Sequence, residues 1–221
     1  MNQTTDGQLA GCEICAGEVE ALRLIANELA HRLKNIFAVV TGLIAVSAKA
    51  EPGAEDFAQS LIARIGALAR AHELLQPPGL ESPAYQQEQT AHGLLLALLA
   101  PYAVDLPGRI TVGGADSAIG PRAAAALSLI VHEWATNAVK YGALSLARGR
   151  VVIKGRSRDG RYSLTWQEQD GPTLPRAPHH RGVGSALADR VAAQFQATIT
   201  RDWGEQGLTL LLDAPQDLLA H

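Results

Sequence analysis

Between His132 and Ser145 the chain reads His-Glu-Trp-Ala-Thr-Asn-Ala-Val-Lys-Tyr-Gly-Ala-Leu-Ser, and three of these side chains suit chemistry on phosphate. At about 100° per residue, a helix brings Glu133, Asn137 and Lys140 within roughly a 60° arc. A carboxylate, an amide oxygen and an ammonium on one face suit a hydrated Mg²⁺ and the phosphates it carries. Leu127, Val131, Trp134 and Ala138 fall on another side, so such a helix buries one stripe and offers the other to something polar and charged. The bland alternative is a solvated helix face.

Three further stretches carry chemistry. In Glu28-Leu29-Ala30-His31-Arg32-Leu33-Lys34-Asn35, His31 lies roughly 200° from Leu29 and so faces away from the apolar side. A neutral imidazole nitrogen there is a nucleophile toward phosphorus. In Trp166-Gln167-Glu168-Gln169-Asp170-Gly171-Pro172, the Glu168 carboxylate at a strand end can accept a hydrogen bond from an exocyclic amine. Asp-Gly-Pro is also an ordinary strand exit. In Arg181-Gly182-Val183-Gly184-Ser185, the glycines permit close backbone approach where a helix N-terminus favours phosphate. That signal is weak alone. The chain has no Gly-x4-Gly-Lys-Ser/Thr loop and no dinucleotide fingerprint after a strand. Cys12 and Cys15 form a lone Cys-x-x-Cys, half a zinc site or a redox switch. His72 continues an apolar seam, and His179-His180 makes a poor metal motif.

The elements that must position these residues follow from periodicity. Residues from about 17 to 50 read as one helix, with Leu22, Ile25, Leu29, Leu33, Ile36, Val40 and Leu43 spaced as a helix–helix seam. Glu51-Pro52-Gly53 breaks it. A second helix carries Phe57, Leu61, Ile65, Leu68 and Leu75 on one stripe and stops at Pro77-Pro78-Gly79. A two-helix hairpin cannot cover its stripe alone, and dimerisation into a four-helix bundle would. Leu80 to Gln89 is a polar linker. Beyond it the pattern is mixed. Helices are expected over Gln89–Tyr102, Pro121–Tyr141 and Gly184–Gln196. Strands are expected over Arg109–Val112, Arg150–Arg156, Tyr162–Glu168, Thr198–Asp202 and Leu208–Leu212. Asp159-Gly160 is a hairpin turn, and Gly204 to Gly207 another.

Of the 221 residues, 47% are hydrophobic, 19% are charged, and the net charge is −3. That balance excludes a general nucleic-acid binder, which carries a basic excess. The longest apolar runs, such as Leu94 to Ala100, read as too short for a bilayer, and no signal peptide opens the chain. A cytoplasmic protein without a membrane segment is expected. The residues before the first helix are too few for a sensory module. Input is therefore expected from a separate sensor protein or from Cys12 and Cys15, unless the sequence is the core of a longer chain.

Taken in order, these stretches resemble the HWE type of sensor histidine kinase, within the wider Bergerat-fold ATPases. The resemblance runs from about Glu28 to Leu212. It implies an α + α/β chain: a dimerisation and phosphotransfer hairpin over 17–78, then a Bergerat-type α/β sandwich binding ATP over 86–215. His31-Arg32-Leu33-Lys34-Asn35 is similar to the phosphoacceptor box, which makes His31 the phosphorylated residue. Arg64, Leu68 and His72 fit the second-helix pattern. His132 to Ser145 resembles the N-box, in which Asn137 coordinates Mg²⁺, Glu133 lies by the phosphates or acts as a base, and Lys140 and Tyr141 line the nucleotide. Trp166 and Glu168 match the Trp-x-Glu motif, with Glu168 at the adenine and Gly171 just beyond it. Gly182, Gly184 and Ser185 resemble the glycine box after the ATP lid. Two departures stand out: Asp170 occupies a usual glycine position, where its carboxylate is expected to weaken nucleotide binding, and the lid from Gly171 to Gly182 is short.

The implied activity is that of a protein histidine kinase. The γ-phosphoryl group of ATP moves to His31 and on to an aspartate of a response-regulator receiver domain, with Mg²⁺ and Lys140 neutralising charge. Glu28, one turn before His31, is the candidate for orienting the imidazole. The chief alternative is a non-catalytic histidine phosphotransferase or scaffold with a degenerate ATP-binding domain. A Bergerat-fold serine kinase is a second one.

Overall fold

A computed structural model describes residues 6–74, 90–172, 182–204 and 207–220. The chain divides into two compact units, Met1–Ile62 and Ala63–His221.

The first unit is built on helix α1, Asp6–Ala50, which starts about three turns earlier than the apolar seam announces. The chain turns through Gly53, whose φ of 86° is strained for any residue with a Cβ. Helix α2, Glu55–Leu74, then begins with Glu55 and Asp56 in its first turn, where carboxylates complement the helix dipole. Ile25, Leu29, Ile36, Val40 and Leu43 of the seam are all solvent-exposed, as are Leu24, Val39, Val46 and Phe57.

Leu24–Ala50 has the length (27 residues) and mean hydropathy (1.4) of a helix able to cross a membrane. This differs from the expectation drawn from the apolar runs. The difference arises because helical continuity joins several short runs. Within it, Arg32, Lys34 and Lys49 leave an uncharged stretch of roughly 20 Å, short of the ~30 Å hydrocarbon layer.

The second unit is a five-stranded sheet with helices packed on it. The strands are β1 (Ile110–Gly114), β2 (Arg150–Arg158), β3 (Arg161–Gln169), β4 (Thr198–Gly204) and β5 (Gly207–Pro215). Their spatial order is β1-β2-β3-β5-β4; β1 runs parallel to β2 and all other neighbours are antiparallel. The β2–β3 hairpin turns at Asp159 and Gly160, both at positive φ, as a two-residue hairpin turn requires. The helices are α3 (Ala91–Asp105), α4 (Pro121–Lys140), α5 (Val183–Ala193) and α6 (Gln216–Leu219), with a 3₁₀ turn at Ala143–Ser145. Proline opens α4, where its missing N–H costs nothing.

The core lies between helices and one sheet face. Along β3, burial alternates without a break, and Tyr162, Leu164, Trp166 and Glu168 point inward. Tyr162, Leu164 and Trp166 share one core with Ile130, Val131, Trp134 and Ala138 of α4 and Leu94, Leu95 and Leu98 of α3. Trp134 and Trp166 stack edge to face at 5.9 Å and 65°. This pair locks the inner stripe of α4 to β3, and so sets Glu133 and Glu168, each next to or near one of the tryptophans, in a fixed relation.

Candidate active site

Glu133, read onto the polar face of helix α4, is covered by protein. It is only 7% exposed, and its Oε1 accepts from Arg64 Nε at 2.5 Å. Arg64 comes from the second half of α2, within the same compact unit. Gly184, near the start of α5, closes on the other oxygen. A Cβ there would stand 1.6 Å from Glu133 Oε2 and 3.2 Å from an Arg64 guanidinium nitrogen. The glycine of the expected phosphate loop is thus needed sterically, against a carboxylate. Gly182 meets nothing within 4 Å, so its side-chain absence is not required by the chain itself. Ser185, in the first turn of α5, is half-buried.

Asn137 lies one turn beyond Glu133 and is half-buried, while Lys140 and Tyr141 at the end of α4 are exposed. His132 turns the opposite way. Its Nδ1 is 3.3 Å from Tyr102 Oη of α3, which is also 3.3 Å from Thr136 Oγ1. Burial lowers its pKa; Glu133 opposes this, and the Arg70, Arg64 and Lys140 charges add to the lowering. A neutral His132 therefore ties α3 to α4.

At the far end of α4, Glu168 is 4% exposed, and its Oε2 accepts from the Ala143 backbone N–H at 2.7 Å. Burial pushes its carboxyl above the ordinary range, and the Ala143 hydrogen bond pulls it back. Three glycines make this contact physically possible. A Cβ on Gly142 would lie 2.1 Å from Glu168 Oε2, one on Gly171 2.8 Å from Ala143 Cα, and one on Gly207 2.4 Å from the Glu168 carbonyl oxygen.

Asp170 has a φ of 54°, in the left-handed region, which explains why glycine suits the position and why Asp, a tolerant residue there, can replace it. Its carboxylate pairs with Arg150 Nη2 at 3.0 Å on the surface.

His31 is exposed on α1, in the other unit. Glu28, the candidate orienting group, instead accepts from Arg32 Nε at 2.8 Å, an exposed pair four residues apart of the kind worth about 0.3–0.5 kcal/mol. The side chains of Cys12 and Cys15, Leu75, and the lid residues 173–181 with His179 and His180 lie outside the described residues. Among the described residues, no group of three His, Cys, Asp or Glu is placed to hold a metal. Mg²⁺ asks for less, since it commonly keeps several waters and takes one or two protein ligands plus phosphate oxygens. The half-buried Asn137 amide beside the glycine-flanked Glu133 fits that demand.

The structure therefore brings Glu133, Gly184 and Arg64 together, and separately Glu168, Gly142, Ala143 and Gly171. Arg64 and the Gly142–Ala143 contact carried no assigned chemistry in the sequence. The first depends on a pairing across 69 residues, and the second on a backbone N–H.

A sheet in this order, with a polar-faced helix and a glycine-led helix at one end, defines the fold of histidine kinase catalytic domains. The histidine kinase domain of a blue-light activated histidine kinase from Erythrobacter litoralis superposes with a TM-score of 0.58 at 21% identity, over 92% of this chain and 98% of that one. A family model described as HWE histidine kinase matches residues 28–116. A curated relative, blue-light-activated histidine kinase 1 of Erythrobacter litoralis (strain HTCC2594), is 38% identical over 202 residues, 90% of this chain and 54% of the relative. The blue-light-activated histidine kinase of Rhizobium johnstonii is 30% identical over 85% of this chain and 52% of its own length. Residues 28–116 of the chain match the HWE histidine kinase family, and the chain spans about half the length of these curated relatives.

Proposed function

We propose that the protein is an ATP-dependent histidine kinase of a two-component system, in which 86–215 binds ATP and the 17–78 hairpin carries the acceptor. The observation that carries this reading is the buried Glu133 held between Arg64 and Gly184, with Asn137 one turn away and Glu168 at the other end of the same helix. Glu168 takes the exocyclic amine of adenine. Asn137 holds Mg²⁺, which when bound neutralises phosphate charge. The α5 N-terminus, with Gly182, Gly184 and Ser185, takes phosphate oxygens, and Lys140 and Tyr141 close the rim.

The imidazole nitrogen of His31 attacks the γ-phosphorus, the bond to the ADP oxygen breaks, and the imidazole proton passes to solvent or a nearby base. The phosphoryl group then moves to a receiver-domain aspartate, restoring His31. The exposed stripe of Ile25, Leu29, Ile36, Val40 and Leu43 supports a homodimeric four-helix bundle, in a cytoplasmic protein. Calorimetric titration tests the nucleotide half of the proposal. Micromolar MgATP binding is expected, weakened at least about tenfold in Asn137→Asp, equivalent to about 1.4 kcal/mol. Equal affinity in that variant, with its fold intact by circular dichroism, would remove Asn137 from the site.

A further inference from the structure

Arg109 lies just before β1 and makes an unusual set of contacts for an arginine with no carboxylate in them. Its Nε donates to the Gly149 carbonyl at 2.6 Å. Its Nη2 donates to the carbonyls of Leu144, at 3.3 Å, and Leu146. Its own backbone is tied down as well, with the carbonyl accepting from Val151 N of β2 at 2.8 Å. One guanidinium thus grips three carbonyls of the segment joining α4 to β2.

That segment needs such a grip. It is only a 3₁₀ turn, closed by Ser145 N to Gly142 O at 3.1 Å and Leu146 N to Ala143 O at 3.2 Å. Short 3₁₀ turns leave carbonyls unpaired and hold their shape poorly. A planar guanidinium offers several donors in a fixed fork, which matches a fan of carbonyls; a lysine ammonium does not. Ala143 sits inside the gripped segment. Gly149 packs against its carbonyl so closely that a Cβ would come within 1.7 Å, Gly171 covers its Cα, and its N–H points to Glu168 Oε2.

We propose that Arg109 is a positioning residue for base recognition, holding the Ala143 N–H on Glu168 so that this carboxylate discriminates adenine from guanine. The inference rests on the reading of Glu168 as the adenine contact. Ala143 occupies one carboxylate oxygen and fixes the rotation of the group. That leaves a defined acceptor for the adenine amine and a repulsive one for the guanine carbonyl oxygen. Sites that discriminate by leaving a buried polar group unpaired with the wrong ligand are strongly selective, provided the group cannot turn away. With Arg109 gone, the turn loosens and Glu168 can rotate.

The test is the ratio of ATP to GTP affinity, measured by titration of the full chain in wild type, Arg109→Met, Arg109→Lys, Glu168→Gln and the Arg109→Met/Glu168→Gln double variant. The expected result is a ratio reduced about tenfold in Arg109→Met and by less in Arg109→Lys. No further reduction is expected when Arg109→Met is added to Glu168→Gln, because both act through one carboxylate. A general loss of structure lowers both affinities together and leaves the ratio unmoved. A ratio lowered by Glu168→Gln but unchanged in both Arg109 variants overturns the role of Arg109. A ratio unaffected by Glu168→Gln overturns the Glu168 reading, and the inference falls with it. Should Arg109→Met fail to fold, the Arg109→Lys ratio, together with the exchange rate of the Ala143 amide, decides the question. Wild-type values for both in the lysine variant overturn the proposal.

Discussion

Replacing Arg64 with methionine is expected to destabilise the 63–221 unit by roughly 3 kcal/mol, read as a fall of about 1–2 M in the urea midpoint. Glu133 is almost wholly buried, and Arg64 is the cation on its Oε1. Methionine replaces much of the arginine stem, so the loss is chiefly electrostatic: a carboxylate remains in a poorly solvated place without its counter-charge. Removing one member of a buried ion pair commonly costs more than the pair itself contributes. Removing both should therefore be milder. The Arg64→Met/Glu133→Leu double variant is expected to recover most of the lost midpoint while binding MgATP poorly. A single variant with the wild-type midpoint would mean that solvent reaches Glu133 freely, contrary to the packing of Gly184 against it.

Gly142→Ala is expected to abolish adenine-nucleotide binding in practice, weakening it by at least about a hundredfold, and to cost the fold a further 1–3 kcal/mol or so. The new methyl would lie 2.1 Å from Glu168 Oε2 and 2.9 Å from Ala138 Cα. The glutamate could swing aside only by giving up the Ala143 hydrogen bond, and the α4 backbone at Ala138 cannot move without disturbing the core. Gly182→Ala is the control, since its methyl meets nothing within 4 Å and should leave stability unchanged. Titration with ADP and thermal melts of both variants check this. An ADP affinity in Gly142→Ala equal to that of the wild type would show that Glu168 does not carry the base contact.

These two sites mark where sequence reading stops. Glu168 was legible because strand alternation, with Tyr162, Leu164 and Trp166, places it on the inner face at a strand end. The inner stripe of α4 was legible from helical angles, and the Trp134–Trp166 contact bears out its direction. Glu133 was read onto the same outer arc as Lys140. An angle around one helix does not reveal that a second helix and a glycine turn will cover part of that arc. Arg64 and Arg109 act on groups 69 and up to 40 residues distant, and such contacts leave no local period. Backbone carbonyls, the targets of Arg109, are the same at every residue type and so are invisible to pattern. The short helix Gln216–Leu219 and the 3₁₀ turn Ala143–Ser145 are too brief to show a repeat.

The central claim is that phosphate from ATP reaches His31. Incubating the purified chain with γ-labelled ATP and Mg²⁺, then splitting the sample between acid and alkali, tests it directly. The account predicts label that is lost in acid and kept in alkali, and that is absent from His31→Ala although this variant still binds nucleotide. Acid-labile label that persists in His31→Ala would contradict it.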